Sequence, residues 1–482
     1  MCRMSSSLSA YILALISFYL YVCTSPADAH SLSNHSLSQD LKIPFAKKQS
    51  HKFYRELGLS PRLEVNIVEH DPLANASTIV EKHFRFPFHS DYEAANSAGP
   101  DVQKLGHYAG YFKLSHTKAA RMFYYFFEAR QNKEKAPVVV WLTGGPGCSS
   151  SIALFYENGP FKLTKNWSLV WNQYGWDQES NIIFIDQPTG TGFSYSTDDD
   201  DIRNTSEEAA VDFYDFIQHP EYVKNDFYIT GESYAGHYIP AFAARVHNAN
   251  KNKQGIHINF KMKLINQSQY NYLKKPVKDC LKEVKYACVR GTHYNLTACA
   301  QTYIDCDVIY RTIMDLNNGL NPYDIRKNCR GYLCYNLSGM ESFLNQTSVK
   351  KALGVDEDIE FVSCSDYVFD AMLGDQMMNH AVYIPELLQD GIKLLVYAGE
   401  YDFICNWLGN FIWVAEMQWW GHKGFWWARY VPFNVDGVNA GSIKRYGPLT
   451  FVKVKDAGHL VPMDQPKVAL QMLRRWTKGI PL

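Results

Sequence analysis

The chain has 482 residues, 46% of them hydrophobic and 15% aromatic, enough to bury a sizeable core. Its 48 basic side chains against 49 acidic ones leave a net charge of −1, which excludes the basic footprint expected of a nucleic-acid binder. No internal stretch reaches transmembrane length free of charges, so no stable membrane anchor is expected.

In chain order, Arg3 precedes an apolar run from Leu8 to Val22, and Ala27-Asp28-Ala29 supplies a small-x-small cleavage signature. Residues 1–29 read as a signal peptide; an uncleaved anchor is the plainer alternative. Residues 30–100 hold basic amphipathic fragments, such as 45–59, then Asn/Ser/Ala-rich stretches without a strong strand pattern. An apolar strand over 137–142 then leads into Thr143-Gly144-Gly145-Pro146-Gly147-Cys148-Ser149-Ser150. Glycines let backbone N–H groups approach a ligand closely, as an oxyanion hole requires. The alternative is an ordinary strand-to-helix turn. A phosphate loop is disfavoured because the Gly-Lys-[ST] ending is missing.

A second apolar run, Phe227-Tyr228-Ile229-Thr230, stops at Gly231-Glu232-Ser233-Tyr234-Ala235-Gly236, and an apolar-periodic segment from His237 to Val246 follows. A serine on a tight turn between strand and helix is the nucleophile elbow of α/β-hydrolases. Ala235 stands where the usual pattern has a second glycine. Two more strand-like runs, 392–399 and 449–454, end shortly before Asp402 and His459. Alone, Asp402 reads as a solvated loop aspartate and His459 as a packed core histidine. Together with Ser233 they follow the order Ser, Asp, His of α/β-hydrolases. Serine is a weak nucleophile until a histidine takes its proton, and a carboxylate fixes the imidazole tautomer.

Six segments carry a resemblance: 141–150 (WLTGGPGCSS), 155–161 (FYENGPF), 186–195 (DQPTGTGFSY), 231–240 (GESYAGHYIP), 397–410 (YAGEYDFICNWLGN) and 457–466 (AGHLVPMDQP). They resemble the serine carboxypeptidases, most nearly the plant-type third class and yeast carboxypeptidase Y, from about Leu105 to the C-terminus. The resemblance implies Ser233 as nucleophile, His459 as general base and Asp402 as its orienting acid. It implies an oxyanion hole from the N–H groups of Gly145 and Tyr234. Thr143, Gly144, Glu157 and Glu232 match positions that bind the substrate's C-terminal carboxylate; many members carry Asn at the position of Thr143. Cys405 and Leu460 fall beside the acyl or leaving-group pocket.

Two carboxylates facing a substrate carboxylate would repel it unless Glu157 and Glu232 share protons. Close like charges and burial raise a carboxyl pKa, so binding is expected to be best at acid pH. That suits a secretory-pathway protein of the vacuole (lysosome-like) or the extracellular space. A purely structural role for both glutamates is the alternative. Nine cysteines follow the leader, and the odd count leaves one free. The resemblance pairs Cys148–Cys364, Cys280–Cys306, Cys288–Cys299 and Cys329–Cys334 and leaves Cys405 reduced. Cys-x-x-Cys pairs and matched histidines are absent, so neither a metal site nor a cofactor is expected. Glycosylation acceptors include Asn166, Asn204, Asn295, Asn336 and Asn345, with further sequons at Asn34, Asn75 and Asn266.

The expected architecture is an α/β-hydrolase fold over 101–482, with a central mainly parallel sheet and an inserted disulfide-rich cap over about 266–340. In the family, residues like 30–100 form a removed propeptide, and the mature chain is expected to begin between Ser97 and Leu105. Trp413, Trp419, Trp420, Trp426 and Trp427 read as packing, with a pocket platform as the alternative. The chain departs from the family by about two dozen missing cap residues between Met262 and Cys280 and a smaller loss near Gln218-His219. The expected activity is release of C-terminal amino acids from peptides and proteins at acid pH, by a monomer or homodimer. The alternatives are an acyltransferase on the same scaffold and a secreted binding protein impaired by its shortened cap.

Overall fold

A computed structural model describes residues 79–84, 86, 107–164, 169–217, 224–251, 260–264, 274–288, 295–316, 319–331 and 333–482. Its strands are β1 (Ile79–His83), β2 (His107–Lys113), β3 (Arg121–Phe127), β4 (Val138–Leu142), β5 (Phe161–Leu163), β6 (Leu169–Trp171), β7 (Asn181–Ile185), β8 (Phe227–Gly231), β9 (Phe260–Leu264), β10 (Leu394–Gly399), β11 (Val431–Val435), β12 (Val438–Tyr446) and β13 (Leu449–Val454). Eleven of them form one sheet in the order β1-β2-β3-β7-β4-β8-β9-β10-β13-β12-β11, while β5 and β6 pair separately. The central pairings, from β7 through β4, β8, β9 and β10 to β13, are parallel. The flanking pairings are antiparallel.

Apolar continuity explains the parallel centre. Parallel strands are covered on both faces and need hydrophobic side chains at every position. All of β4 (VVVWL), β8 (FYITG) and β10 (LLVYAG) is buried. Along β4 the side chains alternate between two cores. Val138, Val140 and Leu142 pack with helices α1 (Ser206–Phe216) and α2 (Ala235–Lys251), through Phe213, Tyr238 and Phe242. Val139 and Trp141 pack on the other face with Leu470 and Leu473 of α3 (Pro466–Thr477). The loops after β4, β8, β10 and β13 then emerge at the carboxyl edge of the sheet, where open α/β sheets bind ligands.

The cap begins, among the described residues, with a helical hairpin, Lys274–Ala287 and Leu296–Leu316. Disulfides Cys280–Cys306 and Cys288–Cys299 clamp the hairpin. It packs on Met377 and on Phe403, the neighbour of Asp402. The described strand β9 spans part of the shortened path; the gap after it, and the shorter one near Gln218, lie at residues outside the described set. The tryptophans divide: Trp419 is buried, but Trp420, Trp426 and Trp427 are exposed. For these three the structure corrects the packing expectation.

The expected leader lies outside the described residues. Within 30–100, however, Ile79–His83 forms a strand where the sequence lacks a strong pattern. It pairs antiparallel with β2 at the sheet edge. The Phe84 N–H bonds to the His107 carbonyl at 2.8 Å, and Glu81 accepts the Tyr124 hydroxyl at 2.5 Å. Phe84 and Phe86 are each 3% exposed, among Tyr125, Phe127, Phe155, Phe161 and Phe343. Only five residues long, the strand shows too little alternation to be seen, and its register comes from β2. Phe86→Ala in the full chain should cost about 3–5 kcal/mol, the usual range for emptying a buried Phe site. Urea unfolding of the two proteins measures this.

Candidate active site

The turn after β8 is as sharp as the Gly-Glu-Ser-Tyr-Ala pattern implies. Ser233 has φ +57°, a left-handed conformation that costs a non-glycine residue energy and persists only when its surroundings impose it. A β-carbon on Gly231 would lie 2.3 Å from the Leu142 carbonyl oxygen and 2.7 Å from the Ala235 β-carbon. Glycine is therefore required at 231, and Ala235 already fills the space opposite it. The Glu232 N–H bonds to the Leu142 carbonyl at 3.2 Å, and the Ala235 N–H to that of Glu232 at 3.0 Å.

Asp402 and His459 come from the loops after β10 and β13. Parallel pairing sets Gly399 beside Val454, so the two loops leave the sheet as neighbours. His459 Nδ1 lies 2.9 Å from Asp402 Oδ2. The Cys405 N–H donates to Asp402 Oδ1 at 3.0 Å, so both carboxylate oxygens are held. Ser233, Asp402, His459 and Glu232 line one cavity. Burial favours the neutral His459 ring, but the Asp402 charge and the hydrogen bonds to Asp402 and Cys405 outweigh it, and the net shift is upward. Cys405 is the free thiol among the described residues. Burial raises its pKa, and it contacts both His459 and Ser233.

The glycine-rich loop lies against the elbow. A β-carbon on Gly144 would come within 2.4 Å of the Tyr234 nitrogen and 2.6 Å of the Ser233 β-carbon. Among the described residues, the N–H groups of Gly145 and Tyr234 donate no backbone–backbone hydrogen bond. Thr143 is buried, and its hydroxyl oxygen accepts the Trp141 indole N–H at 3.2 Å, which leaves the hydroxyl proton free to donate. Disulfide Cys148–Cys364 anchors the loop's far end.

Glu157 and Glu232 are 1% and 5% exposed and close enough to perturb each other. Burial, then the Glu232 charge, pushes Glu157 well up; burial pushes Glu232 up to about 7. Both Glu157 oxygens and Oε2 of Glu232 lack a well-formed hydrogen bond. Sequence reasoning missed two neighbours, Tyr323 and Tyr335. Tyr335 lies behind the short disulfide Cys329–Cys334, and its buried hydroxyl has no hydrogen-bond partner. Burial, then Asp464, Glu232 and Glu157, raises its pKa. Its ring leans on Tyr323 at 5.6 Å, and Tyr323 on His459 at 5.2 Å. The disulfide-rich cap was the available signal; no motif marks these tyrosines.

Leu460 is buried directly after His459. Among the sequons, Asn295 and Asn336 are exposed and Asn204 half-buried. The Asn345 amide is occupied, accepting from the Phe361 N–H at 2.8 Å and donating to its carbonyl at 2.9 Å. Asn166 and the sequons at Asn34, Asn75 and Asn266 lie outside the described residues.

Comparison with known proteins agrees. The sequence model of the serine carboxypeptidase family matches residues 99–479. "Serine carboxypeptidase-like 48" of Arabidopsis thaliana is 50% identical, over 98% of this chain and 97% of that protein. "Serine carboxypeptidase 3" of Hordeum vulgare is 52% identical over 78% of this chain and 79% of its own length. Among solved structures, a prohormone-processing carboxypeptidase from Saccharomyces cerevisiae superposes with a TM-score of 0.68 at 24% identity, covering 80% of this chain and 93% of that one, which supports the shared fold. A family match across most of the chain, with near-complete coverage by relatives half identical to it, places this protein in the serine carboxypeptidase family.

Proposed function

We propose that the protein is an acid-active serine carboxypeptidase that releases C-terminal amino acids through an acyl-enzyme. The observation that carries this reading is the pair of buried, unsatisfied glutamates, Glu157 and Glu232, beside Ser233 and the Asp402–His459 pair. Ser233 Oγ attacks the last peptide carbonyl while His459, whose Nδ1 faces Asp402, takes the serine proton on Nε2. The oxyanion meets the N–H groups of Gly145 and Tyr234. His459 then passes its proton to the departing amino acid's nitrogen, and water attacks the acyl-enzyme by the reverse route. The substrate carboxylate accepts hydrogen bonds from Thr143, Gly144 and the protonated glutamate pair. Cys405 and Leu460 border the pocket as packing side chains.

The same reading gives residues 1–29 as a leader and the region to about 100 as a propeptide, with a vacuolar or extracellular destination. The N-terminal region would then hold β1, Phe84 and Phe86 against the domain until it is cut. The glutamate pair favours a carboxylate-bearing substrate over the alcohol acceptor of an acyltransferase. Hydrolysis of a blocked dipeptide, set against acyl transfer from an acyl-glucose, tests the choice.

Ser233→Ala should lower turnover of blocked dipeptides by about four orders of magnitude or more and leave thermal unfolding unchanged. Wild-type release of amino acid by this variant would end the assignment.

Gly144→Ala should lower kcat by about 100-fold, the scale of a lost oxyanion donor, because its methyl would lie 2.4 Å from the Tyr234 nitrogen. Active-site titration before kinetics corrects for misfolded protein.

The glutamate pair also sets pH dependence. A carboxyl raised from 4.5 to about 7 keeps its proton in the folded chain after the unfolded chain has released its own. Folding is therefore unpenalised below 4.5 and loses stability progressively up to about pH 7. The glutamates must keep their protons to receive a substrate carboxylate, so their titration sets the alkaline limb of kcat/KM. Glu232→Gln should flatten the alkaline limb and remove part of the stability loss between those pH values. Thermal melts and kcat/KM across pH check both.

A further inference from the structure

We propose that Asp375 is a positioning residue for the reaction, locking the Tyr234 side chain and so fixing the backbone N–H beside Ser233. This rests on the oxyanion role proposed above for Tyr234. Asp375 is fully buried and lies 142 residues from Ser233 in sequence. Its Oδ2 accepts the Tyr234 hydroxyl at 2.5 Å and the Ser206 hydroxyl at 2.6 Å. Its Oδ1 accepts the Ser206 N–H at 2.9 Å and pairs with His380 Nε2 at 3.1 Å. The Ser206 N–H belongs to the first residue of α1, where the helix dipole favours a negative charge.

Burial alone would raise the Asp375 pKa, but His380, His237 and Ser206 together hold the carboxyl well below the usual range, so it stays a charged acceptor. The Tyr234 ring also has two aromatic neighbours: it stacks on His237 at 4.6 Å and meets Tyr238 in a T-shaped contact at 5.1 Å. A ring stacked on one neighbour, abutted by another and tied at its hydroxyl leaves its own backbone little freedom. That backbone follows a strained Ser233, and its nitrogen would lie 2.4 Å from a β-carbon at Gly144. The elbow's geometry thus depends on a carboxylate from a different element, the turn at Asp375–Met377.

His237, Asp375 and His380 also stand close enough to resemble a cation site. Each Asp375 oxygen already has two partners, however, and a cation would have to displace the Tyr234 or Ser206 bond.

The test compares wild type, Asp375→Asn, Tyr234→Phe and the double variant as folded, processed protein. A fluorophosphonate first titrates competent serines, so that kcat refers only to folded enzyme. Blocked-dipeptide kinetics and inhibition by a peptide aldehyde follow; the aldehyde's serine adduct places its oxygen where the oxyanion forms. Each single variant should lose about 10- to 100-fold in kcat and a similar factor in aldehyde affinity, with KM within about two-fold of wild type. The double variant should be no worse than about three-fold below either single one, because both substitutions cut one link.

A lowered melting temperature with unchanged kcat per titrated site would make Asp375 merely structural and overturn the proposal. Additive losses in the double variant would overturn it too, since Asp375 would then act by another route. If Asp375→Asn does not fold, Tyr234→Phe, which spares the other Asp375 partners, decides alone: wild-type kcat and aldehyde affinity overturn the proposal. A wild-type protein that neither labels nor cleaves dipeptides overturns the functional reading itself, an outcome distinct from active variants in an active background.

Discussion

The loops that carry Asp402 and His459 are held together by a piece of cap backbone rather than by each other alone. The carbonyl of Tyr323 accepts the His459 N–H at 2.7 Å, and the carbonyl of Pro322 accepts the N–H groups of Phe403 and Ile404 at 3.0 Å. The Ile325 N–H returns to the Tyr401 carbonyl at 3.1 Å. The short segment 322–325 therefore stitches the Asp402 loop to the His459 loop. It is itself pinned by Asp324, whose carboxylate is pulled well down, to about 2, because bonds to Arg326 and Lys327 outweigh its burial. Backbone bonds of this kind survive side-chain change, so a cap can vary in length elsewhere while this strip keeps its register.

Burial supplies the rest of the chemistry. The same removal from water keeps a proton on the glutamate pair, keeps the Cys405 thiol protonated and lets Asp402 act on His459 at full strength. Had these groups been exposed, two glutamates side by side would ionise and repel each other. One dry environment thus gives like residues different tasks: Asp402 keeps two good hydrogen bonds, while Glu157 has neither.

Much of the fold was legible because its signals are local. The runs at 137–142, 227–230, 392–399 and 449–454 are apolar enough to be buried strands, and a small-residue turn, Asp402 or His459 comes within a few residues of each. The order of Ser233, Asp402 and His459 then needs only parallel pairing to converge. Tyr323, Tyr335 and Asp375 were illegible because their meaning is a contact across the fold: a tyrosine near two glutamates, a carboxylate beneath the elbow. The strand at Ile79–His83 escaped for a different reason. The buried rings that hold it, Phe84 and Phe86, sit just past its end, where alternation analysis does not look, while Val80 inside it is exposed. The exposed Trp420, Trp426 and Trp427 show the converse: aromatic content in a sequence does not by itself say inside or outside.

The bridge between Cys148 and Cys364 reaches further than packing. On either side of it, Ser149 N–H bonds to the Ser363 carbonyl at 2.8 Å and Ser365 N–H to the Gly147 carbonyl at 2.9 Å, so the glycine-rich loop is bound to a segment 216 residues away. Among the described residues, the elbow and the loops of Asp402 and His459 carry no disulfide of their own. With this bridge reduced, the chain would keep its elbow turn and lose the covalent hold on the glycine-rich loop that faces it.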